Sequence, residues 1–313
     1  MSDLVTFGDV PLMLFPRGKE RIETTDALRV GATGTESTVA VTAGRLGIDT
    51  TLLSKLPATP LGRRAVAHLR GNGIETEIAW DEGGRAALTF FERGARPRES
   101  TILDDREGAA VETATPGELA METVQSGDAV FVGARTAIRS ETLTETCRAI
   151  LRAGGNETAV LGLGPRLALD DAGRERLVDL FSAVDVLVTP RESAESLLAR
   201  SDESRELGHA IAAEWDFDTV VVSRGRQGAV AVEGSTIHER DGVESDDVDP
   251  TGQHAALAGA FLGRRLAGDD VATALTRGVV AGALMRTIPG PTPTIDPAAV
   301  EAIVADFERG QGF

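Results

Sequence analysis

Two hydrophobic periods alternate along the chain. Short apolar runs at 4–10, 50–56, 128–133, 158–163, 185–189 and 219–223 have the length and composition of buried strands. Between them, 36–47, 60–73, 140–153, 170–182, 190–200 and 204–215 read as helices, with Gly47 and Gly71 as stop signals. Residues 228–232 and 235–238 read as a hairpin, and three helices follow near 252–267, 270–286 and 297–309. Strands alternating with helices predict an α/β fold whose mostly parallel sheet is covered on both faces. Residues 1–313 are read as a single domain of this kind. Two β-rich stretches, 11–32 and 86–103, lack intervening helices. They predict a small separate sheet, a lid over a cleft at the carboxyl ends of the main strands.

Composition narrows the function classes. With 42% hydrophobic and 26% charged residues, the chain has enough apolar material for a core and is not a disordered segment. Cys147 is the only cysteine, which excludes a disulfide scaffold. No run approaches the roughly 18 apolar residues of a membrane span, and the N-terminus lacks a signal pattern, so a cytoplasmic location and no membrane partner are expected. The formal charge of −17 repels phosphate backbones, and no arginine stripe with interleaved aromatics offsets it; no nucleic-acid partner is expected. Lys19 and Lys55 are the only lysines and tyrosine is absent. High acid with so little lysine fits a salt-rich cytoplasm, where salt screens self-repulsion.

Candidate chemistry lies in a few segments whose order matters as much as their content. They are Thr6-Phe7-Gly8-Asp9, Gly34 to Ala40 running on to Arg45-Leu46-Gly47, Leu56-Pro57 with Pro60-Leu61-Gly62-Arg63, Ser223-Arg224-Gly225-Arg226-Gln227-Gly228, and Asp249-Pro250-Thr251-Gly252-Gln253-His254-Ala255 followed by Gly259-Ala260-Phe261. In this order and spacing they resemble the PfkB/ribokinase family of sugar kinases over nearly the whole chain, most closely its 2-keto-3-deoxygluconate kinases. The resemblance implies a ribokinase-like three-layer α/β/α fold with a small β lid. It also implies ATP-dependent phosphoryl transfer to a sugar or sugar-acid hydroxyl, with ATP and Mg2+ as cofactors and a homodimer paired through the lid.

The family motif reads roughly D-T-x-G-A-G-D. Its glycines let backbone N–H groups at a helix N-terminus surround a phosphate, and its last Asp takes the hydroxyl proton. The resemblance places an anion hole at Gly252, Gln253, His254 and Ala255. It places nucleotide contacts at Ser223, Gly225, Gly228 and Arg191, and sugar contacts at Asp9, Gly34, Thr38, Thr89, Asp104, Arg106 and Arg166.

The departures fall on the chemistry. Ala255 stands at the base position and cannot accept a proton; no catalytic residue is intact. His254 replaces a glycine, so a backbone with positive φ would cost energy there. As a substitute base it is rotated about 100° from the required position; otherwise it faces solvent or phosphate. The family's N-x-x-E becomes Arg191-Glu192-Ser193-Ala194, which weakens the expectation of Mg2+ and ATP, and no metal ligand is assigned. An Asn of the substrate helix becomes Thr38, two substrate tyrosines become Thr89 and Asp104, and the D-x-N-x-R segment keeps only Arg166.

Bland readings stand beside these. Arg106 and Arg166 fit surface ion pairs as well as anion contacts. Asp9 fits a turn cap as well as a ligand contact. Gly225 and Gly228 fit a simple hairpin turn, Asp247 and Asp249 fit turn and capping roles, and His68, His209 and His238 fit solvated side chains. Two functions follow: a sugar kinase with weak or absent turnover, or a non-catalytic protein that binds a sugar acid or nucleotide on the same scaffold.

Overall fold

The computed structural model describes residues 2–154, 158–165, 167 and 169–309. In chain order the strands and helices are β1 (Leu4–Phe7), β2 (Leu12–Phe15), β3 (Arg29–Ala32), α1 (Thr35–Arg45), β4 (Thr50–Pro57), α2 (Pro60–Gly71), β5 (Glu75–Asp81), β6 (Leu88–Glu92) and β7 (Thr101–Asp105). They continue with α3 (Met121–Ser126), β8 (Ala129–Gly133), α4 (Ala134–Ala137), α5 (Glu141–Ala153), β9 (Thr158–Gly162), α6 (Asp171–Phe181), β10 (Val186–Pro190), α7 (Arg191–Leu198) and α8 (Ser204–Trp215). The last are β11 (Thr219–Ser223), β12 (Ala229–Glu233), β13 (Thr236–Arg240), α9 (Gln253–Leu266), α10 (Val271–Arg286) and α11 (Pro297–Glu308).

The main sheet has nine strands in the order β13-β12-β11-β10-β9-β8-β1-β4-β5. From β11 to β5 every pairing is parallel, and β12 and β13 add an antiparallel hairpin at one edge. Strands such as Ala-Val-Phe-Val-Gly and Thr-Val-Val-Val-Ser are buried at every position, as a sheet covered on both faces requires. One face packs Leu143, Ile150, Leu177, Leu197, Leu207 and Ile211 from α5 to α8 against the sheet. The opposite face packs Val39 of α1 with Leu257, Phe261, Leu275 and Val279 of α9 and α10. Helices on both faces make the predicted three layers. Among the described residues no helix is long and apolar enough to cross a membrane.

A second sheet, in the order β3-β2-β6-β7, is built from the two β-rich stretches. Its last strand runs two residues past the predicted limit, because cross-strand pairing with β6 continues through Thr89↔Asp104 and Leu88↔Asp105. β7 is an edge strand, exposed at all five positions, with Ile102 and Leu103 open to solvent.

Strand order fixes where a ligand binds. β1 sits between β4 and β8, and the chain crosses over in opposite directions from it. The crevice beyond the carboxyl ends of β1 and β8 is therefore the topological switch point, where parallel α/β sheets bind ligands. Gly8-Asp9 follows β1 there, and Gly133 ends β8.

Candidate active site

A cavity of about 440 Å3 opens at this crevice, between the second sheet and the first turns of α1 and α9. Gly34, Thr38, Thr89, Asp104, Arg106, Arg191, Ser223, Gly225, Gly228, Gly252, Gln253, His254 and Ala255 all line it. Arg166 lies outside the described residues.

The sugar-side residues converge on one guanidinium. Arg106 donates from Nε to Asp104 Oδ1 at 3.0 Å and from Nη2 to Thr89 Oγ1 at 3.0 Å, and its Nη1 lies 3.6 Å from Asp9 Oδ2. Thr89 Oγ1 also donates to Asp104 Oδ1 at 2.9 Å, across the β6–β7 pair. Arg106 is thus no surface ion-pair residue: its side chain is 12% exposed and turned to the cavity. Asp9 is buried with no hydrogen bond to its Oδ2 among the described residues, and the backbone N–H of the next residue, Val10, bears on its carboxyl. Burial pushes its carboxyl upward, against the pull of Arg106. Gly34 has φ 143°, and a Cβ there would meet the Asp9 carbonyl oxygen at 2.6 Å. Only glycine lets the chain enter α1 so close to the end of β1.

The nucleotide-side residues gather around the start of α9. Gly252 is the N-cap with φ 81°, and the first helical hydrogen bond runs from Ala256 N to Gly252 O at 2.8 Å. The backbone N–H groups of His254 and Ala255 therefore have no partner within the helix, and the helix dipole favours an anion in front of them. These donors fit a phosphate group. Thr38 packs beside Gly252. Gly225 and Gly228 flank a 3-10 turn joining β11 to β12, so the hairpin reading holds for both, although they also line the cavity. Arg191 Nε is held by Glu195 Oε1 at 3.1 Å, and Nη2 by the Asp202 carbonyl at 3.1 Å.

His254 corrects the expectation of a solvent- or phosphate-facing imidazole. It is 6% exposed, and its Nδ1 shares a hydrogen bond of 2.7 Å with Ser223 Oγ. The Leu163 carbonyl faces the ring from the end of β9. Burial lowers its pKa to about 4, so the imidazole is neutral at physiological pH. The expected backbone strain is also absent: within the loop and first turn of α9 only Gly252 has a positive φ, and His254 takes an ordinary helical conformation. Asp249 is more than a turn residue. It is fully buried, accepts from Thr251 N at 3.0 Å and Gly290 N at 3.0 Å, and pairs with Arg93 from the loop after β6. His68 is half-buried rather than solvated, and its Nε2 meets Thr292 Oγ1 at 3.0 Å.

Three cavity residues escape sequence reasoning. Glu36, in the first turn of α1, is 3% exposed and accepts from Thr136 Oγ1 at 2.5 Å. A lone acid in a run of small residues was its only signal. Arg135 follows β8, donates to the Pro165 carbonyl at 3.2 Å and lies 3.7 Å from Asp104. Arg286, at the end of apolar α10, is 3% exposed and donates to Ser245 Oγ, Val243 O, Gly225 O and Gln253 Oε1. A guanidinium only donates, so it fixes the Gln253 amide with its oxygen toward Arg286. Among the described residues no three His, Cys, Asp or Glu side chains are arranged as a metal cage. Mg2+ on phosphates needs only one or two carboxylates, and Glu192 at the cavity wall suits that demand.

A crevice at the switch point, with guanidinium and carboxylate groups on one side and open helix N–H groups on the other, suits a polar small molecule beside a phosphate donor. The profile of the pfkB family of carbohydrate kinases matches residues 1–298, and the chain belongs to this family. It is 39% identical over 313 residues to a 2-dehydro-3-deoxygalactonokinase of Haloferax volcanii, covering 99% of this chain and 98% of that one. It is 27% identical over 267 residues to a 2-dehydro-3-deoxygluconokinase of Thermoproteus tenax, covering 82% of this chain and 80% of that one. Among solved structures, the 2-dehydro-3-deoxygluconokinase of Thermotoga maritima superposes with a TM-score of 0.88 at 26% identity, covering 96% of this chain and 98% of that one.

Proposed function

We propose that the protein binds a 2-keto-3-deoxy sugar acid in the Arg106 half of the cleft and a nucleotide at the α9 N-terminus, with phosphoryl transfer slow or absent. Arg106, with Thr89 and Asp104, supplies a guanidinium suited to a sugar carboxylate. The N–H groups of His254 and Ala255, beside the Arg286-oriented Gln253, would hold the nucleotide phosphates. ATP bound there would supply the phosphoryl group.

The observation that carries the reading is the methyl side chain of Ala255. It lines the cavity in the first turn of α9, where the family motif has its proton-accepting Asp. The neighbouring imidazole is no replacement, since it is buried and bonded to Ser223. Removing a general base lowers rate by roughly 10²–10⁴-fold, about 3–6 kcal/mol of barrier. Phosphoryl transfer through a loose transition state needs positioning more than a base, so binding outlives the loss.

The test is a coupled phosphotransfer assay with 2-keto-3-deoxygluconate and 2-keto-3-deoxygalactonate in molar salt. Ala255→Asp should raise turnover by roughly 10²-fold or more. Brisk turnover by the wild-type protein, unchanged by Ala255→Asp, would overturn the reading. Thermal shifts with ADP and each sugar acid report binding independently of chemistry.

A further inference from the structure

Glu36 is a carboxyl group buried where the proposed ligand is itself an anion. Its position is set by backbone, not by a counter-ion. The carboxylate lies against Gly8 and Gly133, at the carboxyl ends of β1 and β8; a Cβ on either would approach its Oε1 to 2.2 and 2.6 Å. Thr136 is its side-chain partner: the hydroxyl accepts from Asp9 N at 3.3 Å and donates to Glu36 Oε1 at 2.5 Å. That hydroxyl and the residue's own backbone N–H are both neutral donors, and they do not repay the burial of a full negative charge.

The surroundings sharpen the point. Asp9 faces Glu36 from the end of β1, Arg135 and Thr136 from α4, Arg106 from the segment after β7, and Cys147 from α5. The Asp104 carboxylate lies beside Arg106 and Arg135, and Arg139 is neutralised by Glu112 at 2.6 Å. With Glu36 ionised, its charge adds to that of Asp104 beside the two guanidinium groups, with the buried Asp9 carboxyl next to it, and an incoming anion is disfavoured. With Glu36 protonated one negative charge is removed from the subsite, while Arg106 keeps its bonds to Asp104 and Thr89.

We propose that Glu36 is a specificity-determining residue of the sugar subsite: its carboxyl takes up a proton from solvent when a sugar acid binds, making the pocket selective for an anionic ligand. This rests on the sugar-acid reading above. Burial already raises the free carboxyl to about 7, so the proton is exchangeable near neutrality.

The experiment is isothermal titration of the full chain with 2-keto-3-deoxygluconate and 2-keto-3-deoxygalactonate near pH 7.5, in molar salt. Two buffers of different ionisation heat are compared. The wild type should take up about three-quarters of a proton on binding, and its affinity should fall about fivefold from pH 7 to pH 8. Glu36→Gln should bind with buffer-independent heat and a flat pH profile, which a purely structural role would not produce. Thr136→Val keeps the carboxyl but removes the donor favouring its charged form, so its profile should move to higher pH. Buffer-independent heat in the wild type would overturn the proposal, as would an unchanged profile in Glu36→Gln. Binding without proton uptake defeats Glu36 alone; no binding by either sugar acid at any pH defeats the sugar-acid reading and this inference with it.

Discussion

Replacing His254 by Gln isolates the energetics of the first turn of α9. The native imidazole is neutral and wedged between Ser223 and the Leu163 carbonyl, with a pKa near 4 against the ordinary 6.5. Between those values the unfolded chain binds a proton that the folded chain refuses. Stability therefore rises with pH through this window and is lost as pH falls toward 4. A gap of about 2.5 pKa units is worth about 3 kcal/mol, or more than a hundredfold in the folding constant. Glu36 acts in the opposite sense, because its folded form keeps a proton up to about pH 7 that the unfolded chain releases near 4.5. The two slopes offset one another where they overlap, so the wild-type curve alone is uninformative. The informative quantity is the difference between wild type and His254→Gln in urea denaturation, followed from pH 4 to pH 7 at constant molar salt. It should grow by about 3 kcal/mol in favour of wild type and then level off. Parallel curves would refute the buried neutral imidazole and return His254 to the list of candidate bases.

Other perturbations read other parts of the site. Asp249→Asn should destabilise by about 3–5 kcal/mol in denaturant titrations, since it strands the Arg93 guanidinium against a buried neutral group. Arg106→Gln should weaken sugar-acid binding by roughly 10–100-fold in calorimetry, because a charge-assisted contact worth about 1.5–3 kcal/mol is lost; unchanged affinity would move the ligand elsewhere. The net charge of −17 predicts a lower thermal midpoint in dilute buffer than in molar salt, and equal midpoints would count against a salt-adapted surface. Sedimentation of wild type against Leu103→Lys tests a dimer through β7: a dimer that dissociates in the variant supports it, and a monomeric wild type removes it.

The strands of the main sheet were legible because burial on both faces forces continuous apolar runs. β5 was not, because Glu-Thr-Glu-Ile-Ala-Trp-Asp at the sheet edge has mixed exposure and no run of its own. The segment between β7 and β8 was silent for a similar reason: its 3-10 turns and α3 are too short to show a period. The family resemblance brought Thr89, Asp104 and Arg106 forward together, although nothing local in the sequence says that Thr89 and Asp104 pair across two strands. Arg135 and Arg286 belong to no motif, and Glu36 lies inside one without a role assigned to it. Their importance arises from tertiary neighbours: two strand-end glycines, a carboxylate on the second sheet, and a loop carbonyl cage. The side chain of His254 shows the limit from the other direction. Its position in the motif was plain, but its inward direction depended on Ser223, thirty-one residues earlier.

That inward direction also constrains the order in which such a site can change. Where relatives in the motif carry glycine, this chain has a brace between two strand tips, and reverting it would sacrifice the brace before any chemistry improved. An acid introduced first at 255, a buried position that borders both the cavity and the core, leaves that brace in place. Under the proposed reading, a lineage selected for faster phosphoryl transfer, in the laboratory or in nature, should therefore begin with the aspartate and reach the glycine late.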